Sequence, residues 1–98
     1  MLDLSSYQDR IIHLCKSLRV KDLELFGSAT RTDFTQESDV DVLVTFQGKN
    51  QLFDRYFELK EGLEQLFGRR VDVIMPAAIK NPIFREQIEK ERTVIYAA

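Results

Sequence analysis

The run Asp39-Val40-Asp41-Val42-Leu43-Val44-Thr45-Phe46 constrains this chain more than any other segment. After its two acids it is β-branched and apolar, the composition of a strand buried on at least one face, and such a strand must be covered by other elements. In a strand, residues two apart project the same way, so Asp39 and Asp41 stand side by side, two residue rises or about 6.5 Å apart. At an effective dielectric of about 20, two unit charges at that separation repel by roughly 2 to 3 kcal/mol, and aspartate is disfavoured in strands to begin with. A divalent cation offsets that repulsion directly. Hard carboxylate oxygens suit Mg²⁺, which keeps several waters and is usually completed by substrate phosphates.

The elements that cover the strand are legible from periodicity. Leu4, Tyr7, Ile11, Leu14, Cys15 and Leu18 recur at three- and four-residue intervals, predicting an amphipathic helix over 3–18 with Ser5 and Ser6 as caps near its start. Residues 22–26 read as a short strand running into a tight turn at Gly27, with a turn of helix over 28–33. Gly48 and Asn50 close the 39–46 strand. Leu52, Phe53, Tyr56, Phe57, Leu59, Leu63, Leu66 and Phe67 mark a long helix stopped by Gly68. Residues 70–75 form a third strand ended by Pro76. Asn81 before Pro82 caps a helix over 82–90, and 93–96 make a final strand. The order helix, strand, strand, helix, strand, helix, strand defines a small α/β (α+β) fold, with a mixed sheet of about four strands flanked by helices.

With 98 residues and 44% apolar content, one domain over residues 1–98 is expected, with room for one core and one site. The net charge of −2 and interspersed ionic residues give no basic stripe, so direct nucleic-acid binding is not expected. No apolar run is long enough to span a bilayer, and no signal-peptide core is present. Together with a lone cysteine these features predict a cytoplasmic protein without membrane association. Cys15 lies on the apolar stripe of the first helix and reads as core, whereas His13 falls off it and reads as solvated.

The remaining candidate residues surround the two acids. Gly27 lets backbone approach a ligand closely, and exposed amides there, with the Ser28 hydroxyl, suit a triphosphate. Arg31, one helical turn beyond Ser28, reaches the same phosphates as a bidentate donor or pairs instead with Asp33 or Glu37. Asp72 lies alone in Arg70-Val71-Asp72-Val73-Ile74-Met75, with Val71 and Val73 on the opposite face and Ile74 on its own. If that strand lies beside 39–46, the three carboxylates converge as a two-metal site requires. A Gly-Ser turn or an Asp-x-Asp taken singly is commonly structural; their conjunction with a third strand-borne acid is what points to chemistry.

The run Gly27-Ser28-Ala29-Thr30-Arg31-Thr32-Asp33-Phe34-Thr35-Gln36-Glu37-Ser38-Asp39-Val40-Asp41 resembles the signature of the nucleotidyltransferase superfamily related to DNA polymerase β. Within it the chain is most similar to the minimal nucleotidyltransferase, with likeness over nearly its whole length. Gly-Ser, ten residues, Asp-x-Asp is matched at Gly27, Ser28, Asp39 and Asp41, and the separate third acid at Asp72. Thr32 stands where many such domains have glycine. The resemblance implies the polymerase β-like fold and transfer of a nucleoside monophosphate from a nucleoside triphosphate to a hydroxyl. Asp39, Asp41 and Asp72 would bind Mg²⁺ and be catalytic, Asp72 helping to deprotonate the acceptor. Gly27, Ser28, Arg31 and Ser38 would bind the nucleotide, taken from the family to be ATP.

Relatives that modify antibiotics or RNA carry extra domains for their acceptors, and this chain has no length to spare for one. Stand-alone domains of this size are similar to the antitoxins of HEPN/minimal-nucleotidyltransferase toxin–antitoxin pairs, which modify a tyrosine of the partner HEPN toxin with AMP. That is the leading expectation. Two alternatives stay open: a non-catalytic module that neutralises its partner by masking it, partly through the aromatic helix, and a small-molecule nucleotidyltransferase. Whether the chain works as a homo- or hetero-oligomer is not written in the sequence.

Overall fold

Val40, Val42 and Val44 lie on one side of a strand and Asp41, Leu43 and Thr45 on the other, and this alternation sets the plan of the molecule. The structure, a computed structural model, describes residues 2–30, 35 and 37–98. The elements are α1 (Gln8–Ser17), β1 (Val20–Phe26), a 3-10 turn (Gly27–Thr30), β2 (Val40–Phe46), α2 (Leu52–Phe67), β3 (Val71–Ile74), a second 3-10 turn (Pro76–Ala78), α3 (Pro82–Glu91) and β4 (Thr93–Ala97). The strands pair in the order β3-β2-β1-β4. β1 runs antiparallel to β2 and to β4, and β2 runs parallel to β3. This is the expected small mixed α/β sheet flanked by helices.

One face of the sheet carries the main core. Val40, Val42, Val44, Val71, Val73, Leu23 and Leu25 pack beneath Ile11, Cys15 and Leu18 of α1 and its C-terminal end and beneath Leu59, Leu63 and Phe67 of α2. Cys15 is fully buried as expected, and burial pushes its thiol pKa up to about 12. His13 is exposed. The other face carries a smaller cluster of Phe26, Leu43, Ile79 and Ile88, which seats α3.

Several boundaries depart from the sequence reading, β2 starting at Val40 rather than 39 and β3 spanning 71–74 rather than 70–75, and the largest shifts lie near the N-terminus. α1 starts at Gln8 rather than near residue 3, and its N-cap, Tyr7, makes no side-chain cap bond. Asp3 Oδ1 instead accepts from the Ser5 N–H (3.0 Å) and hydroxyl (2.8 Å), a local turn that competes with the helix. β1 starts at Val20, because a register shift between Val20 and Asp22 returns the fully buried Val20 to the core face. The turn of helix expected over 28–33 is present as a 3-10 turn from Gly27 to Thr30, and its remainder, 31–33, lies outside the described residues. Elsewhere local signals hold: Gly68 takes the left-handed φ of 66° after α2, and Asn81 Oδ1 accepts from the Ile83 and Phe84 amides at 2.9 and 3.4 Å.

Candidate active site

Strand pairing assembles the site. Val40 lies opposite Val71, Asp41 opposite Asp72 and Val42 opposite Val73. In-register neighbours project to the same face, so the Asp41 and Asp72 carboxylates stand side by side on the face away from the valines. Asp72 is exposed, and Asp41 and Asp39 are half-buried. Asp39 immediately precedes β2, whose first residue donates its N–H to Arg70 O at 3.0 Å.

Asp72 occupies an edge strand whose outer backbone groups are held by one stripe of α2. Lys60 Nζ donates to Val71 O (2.7 Å), the Val71 N–H donates to Glu64 Oε2 (3.0 Å), and the Tyr56 hydroxyl donates to Val73 O (2.9 Å). The residues on either side of Asp72 are thereby fixed. The Val71 N–H holds the Glu64 carboxyl below its ordinary pKa, with Lys60 and Arg70 acting in the same direction and burial opposing them.

Gly27, the first residue after β1, lies against Asp41. Its φ is +71°, a region open to glycine, and a Cβ there would lie 2.6 Å from Asp41 Oδ2. The Gly27 N–H donates to Glu91 Oε2 at 3.0 Å, and its carbonyl accepts from Thr30 Oγ1 at 2.8 Å. Fully buried Ala29 pins the same turn into the core. The amide expected to face a phosphate is thus engaged by a carboxylate from the end of α3.

Ser38 lies in the turn leading to Asp39. Its Oγ accepts from the Thr35 N–H at 3.0 Å and lies 3.1 Å from Thr35 Oγ1, while Arg69 Nη1 donates to Thr35 O (2.8 Å) and Ser38 O (3.1 Å). Arg31, with Thr32 and Asp33, lies outside the described residues, and the Ser28 hydroxyl is not among the described side chains. Glu91, Arg69 and the α2 stripe carried no signal in the sequence, because each acts on backbone groups of another element, 7 to 64 residues away along the chain. Thr30, three residues after Gly27, was the one local clue.

Among the described residues no group of three His, Cys, Asp or Glu is arranged to hold a metal ion. The register brings together a pair, Asp41 and Asp72, with Asp39 immediately before the strand that carries Asp41. Two adjacent carboxylates on an open face fit a hard cation that takes its other ligands from phosphate and water.

A glycine turn against a strand-borne aspartate, with a second aspartate beside it in a mixed sheet, is the arrangement expected of a nucleotidyltransferase. The chain belongs to the nucleotidyltransferase domain family, which it matches over residues 9–95. It is 35% identical over 100 residues to the protein adenylyltransferase MntA of Thermococcus cleftensis, covering 98% of this chain and 97% of that one. A solved structure described as a candidate minimal nucleotidyltransferase superposes with a TM-score of 0.75 at 30% identity, covering 92% and 90% of the two chains. A toxin–antitoxin crystal structure with AMP-PNP shares the fold, with a TM-score of 0.71 at 18% identity over 94% of this chain and 74% of that one.

Proposed function

We propose that this protein transfers AMP from ATP to a hydroxyl, a tyrosine, of a partner HEPN-family toxin, and so acts as its antitoxin in a cytoplasmic setting. The observation that carries the reading is the pairing of Asp41 with Asp72 beside the Gly27 turn. Support for a protein acceptor comes from the likeness to the adenylyltransferase MntA over almost the whole of both chains. None of the described helices is long and apolar enough to cross a membrane.

Asp41 and Asp72 would hold Mg²⁺, with Asp39, just before the strand that carries Asp41, turning in to join them when the cation binds. When bound, that cation neutralises triphosphate charge and makes the acceptor hydroxyl easier to deprotonate. The chain's own residues do the rest. The Gly27–Thr30 turn holds the triphosphate, with the Ser28 hydroxyl, Arg31 and Ser38 as further nucleotide contacts. The exposed Asp72 takes the proton from the tyrosine hydroxyl. The tyrosine oxygen bonds to the α-phosphorus, the bond from that phosphorus to the pyrophosphate oxygen breaks, and pyrophosphate leaves with its electron pair. Catalysis of this kind is positioning and charge neutralisation.

The masking alternative has one observation in its favour: Phe53 is 74% and Phe57 43% exposed on α2, their rings tilted by 55° with centres 4.7 Å apart. Label transfer separates the readings. Incubated with Mg²⁺ and the partner toxin, the protein should pass label from α-labelled but not γ-labelled ATP. Asp39→Asn with Asp41→Asn should reduce transfer by roughly a thousandfold, as removal of essential charge-stabilising groups does, without loss of folding. Neutralisation that survives this double substitution would establish masking.

A further inference from the structure

The C-terminal end of α3 reaches back across the chain to the motif glycine, and nothing in the family signature requires it to. Glu91 is the last residue of α3, and its half-buried carboxylate accepts the Gly27 N–H at 3.0 Å. Its place is fixed on both sides. Ile88, one turn earlier, is 2% exposed in the cluster with Phe26 and Leu43, and Arg92, the next residue, pairs through Nε with Glu24 Oε2 at 3.2 Å. With its N–H on Glu91 and its carbonyl on Thr30, Gly27 is held at both ends, its bare Cα against Asp41 Oδ2. A carboxylate at that amide also excludes it as a phosphate ligand, because two anions on one donor repel.

We propose that Glu91 is a positioning residue for nucleotide transfer: by accepting the Gly27 N–H it sets the turn against Asp41, so that the amides beyond it, those of Ser28 and Ala29, meet the triphosphate. The inference rests on the nucleotide-transfer reading above. It assigns to the C-terminal helix a part in the active site as well as in the core.

The test compares wild type, Glu91→Gln and Glu91→Ala for kcat, the KM for Mg–ATP, the KM for the partner and Tm. Glutamine still presents an accepting oxygen, so Glu91→Gln should stay within about threefold of wild type, whereas Glu91→Ala, which loses the bond, should raise the KM for Mg–ATP about tenfold and leave the partner KM unchanged. A residue serving stability alone would lower Tm without moving the KM of the folded protein. That result, or a Glu91→Gln as impaired as Glu91→Ala, overturns the proposal. If Glu91→Ala does not fold, hydrogen exchange at the Gly27 amide of wild type decides: protection is expected, and exchange at the rate of an open loop overturns the assignment. If wild type transfers no AMP, the functional reading fails, and Mg–ATP affinity measured on the same proteins still judges Glu91 by the same tenfold criterion.

Discussion

On one face of β2, Val40, Val42 and Val44 are fully buried beneath α1 and α2; on the other, two residues of the same strand away from a core leucine, Asp41 stands half-buried beside the exposed Asp72. Both faces are made by the same backbone hydrogen bonds, so the register that buries the valines also sets the carboxylates next to each other. A slip of one residue would send the acids into the core and the valines to the surface. The apolar face therefore enforces the placement of the acids without touching a substrate. α3 covers the acid-bearing face over Leu43 and Phe26 and stops short of the carboxylates, its last residue gripping Gly27.

If the faces divide the work in this way, damage to the core should lower stability and spare chemistry. Leu63 is fully buried in the larger cluster, and Leu63→Ala should destabilise the fold by about 3 kcal/mol through lost burial and the cavity left behind. Urea denaturation reads that value. The kcat of the folded fraction should match wild type, and a folded Leu63→Ala protein with much reduced kcat would break the division.

Gly27→Ala probes the boundary between the faces. The added Cβ meets Asp41 Oδ2 at 2.6 Å, and the backbone sits at φ +71°. An L-residue forced into that region costs about 1 to 2 kcal/mol. The Asp41 carboxyl can swing aside, since it is the end of a flexible side chain, but it then leaves the position beside Asp72. We expect transfer to fall at least about tenfold, beyond what the stability loss alone explains. Transfer at the wild-type rate would show that the close approach of turn and carboxylate has no part in catalysis.

Much of this was legible because the signals were local. The apolar spacing and Gly68 gave α2 its bounds, Asn81-Pro82 gave the start of α3, and the alternation in 71–74 gave the facing of Asp72. Partners chosen by the folded chain were illegible. Arg55 shows why. It lies among the charged residues of α2 and is 4% exposed, donating to Leu18 O (3.2 Å) and Gln47 O (2.9 Å) with its guanidinium 4.9 Å from the centre of the Phe46 ring. Burial, followed by the nearby Arg19, lowers its pKa. Its partners are backbone carbonyls, which every residue possesses, so no residue type announces them. Glu91 escaped notice for the same reason, its partner being an amide 64 residues away. The convergence of Asp41 and Asp72 was conditional in the sequence, since strand adjacency is a property of topology rather than of either segment.

Glu64 belongs to neither face. It holds the sheet edge from α2, and its effect should be the smallest and the most specific to pH. Its carboxylate accepts the Val71 N–H beside Asp72 and lies 3.5 Å from Lys60 Nζ, with the side chain 31% exposed. The folded-state pKa lies below the ordinary glutamate value of 4.5, the Val71 bond being the largest cause. A depressed carboxyl contributes stability that is fully present above the unfolded pKa and is lost as pH falls through the folded one. The stability difference between wild type and Glu64→Gln, measured by urea denaturation, should therefore be flat from neutral pH down to about pH 5 and shrink as the pH drops below the unfolded value. A difference that stays constant to pH 3 would mean that the bond to Val71 does not favour the ionised form. The edge beside Asp72 would then be held by Lys60 and Tyr56, whose bonds to the Val71 and Val73 carbonyls do not depend on that proton.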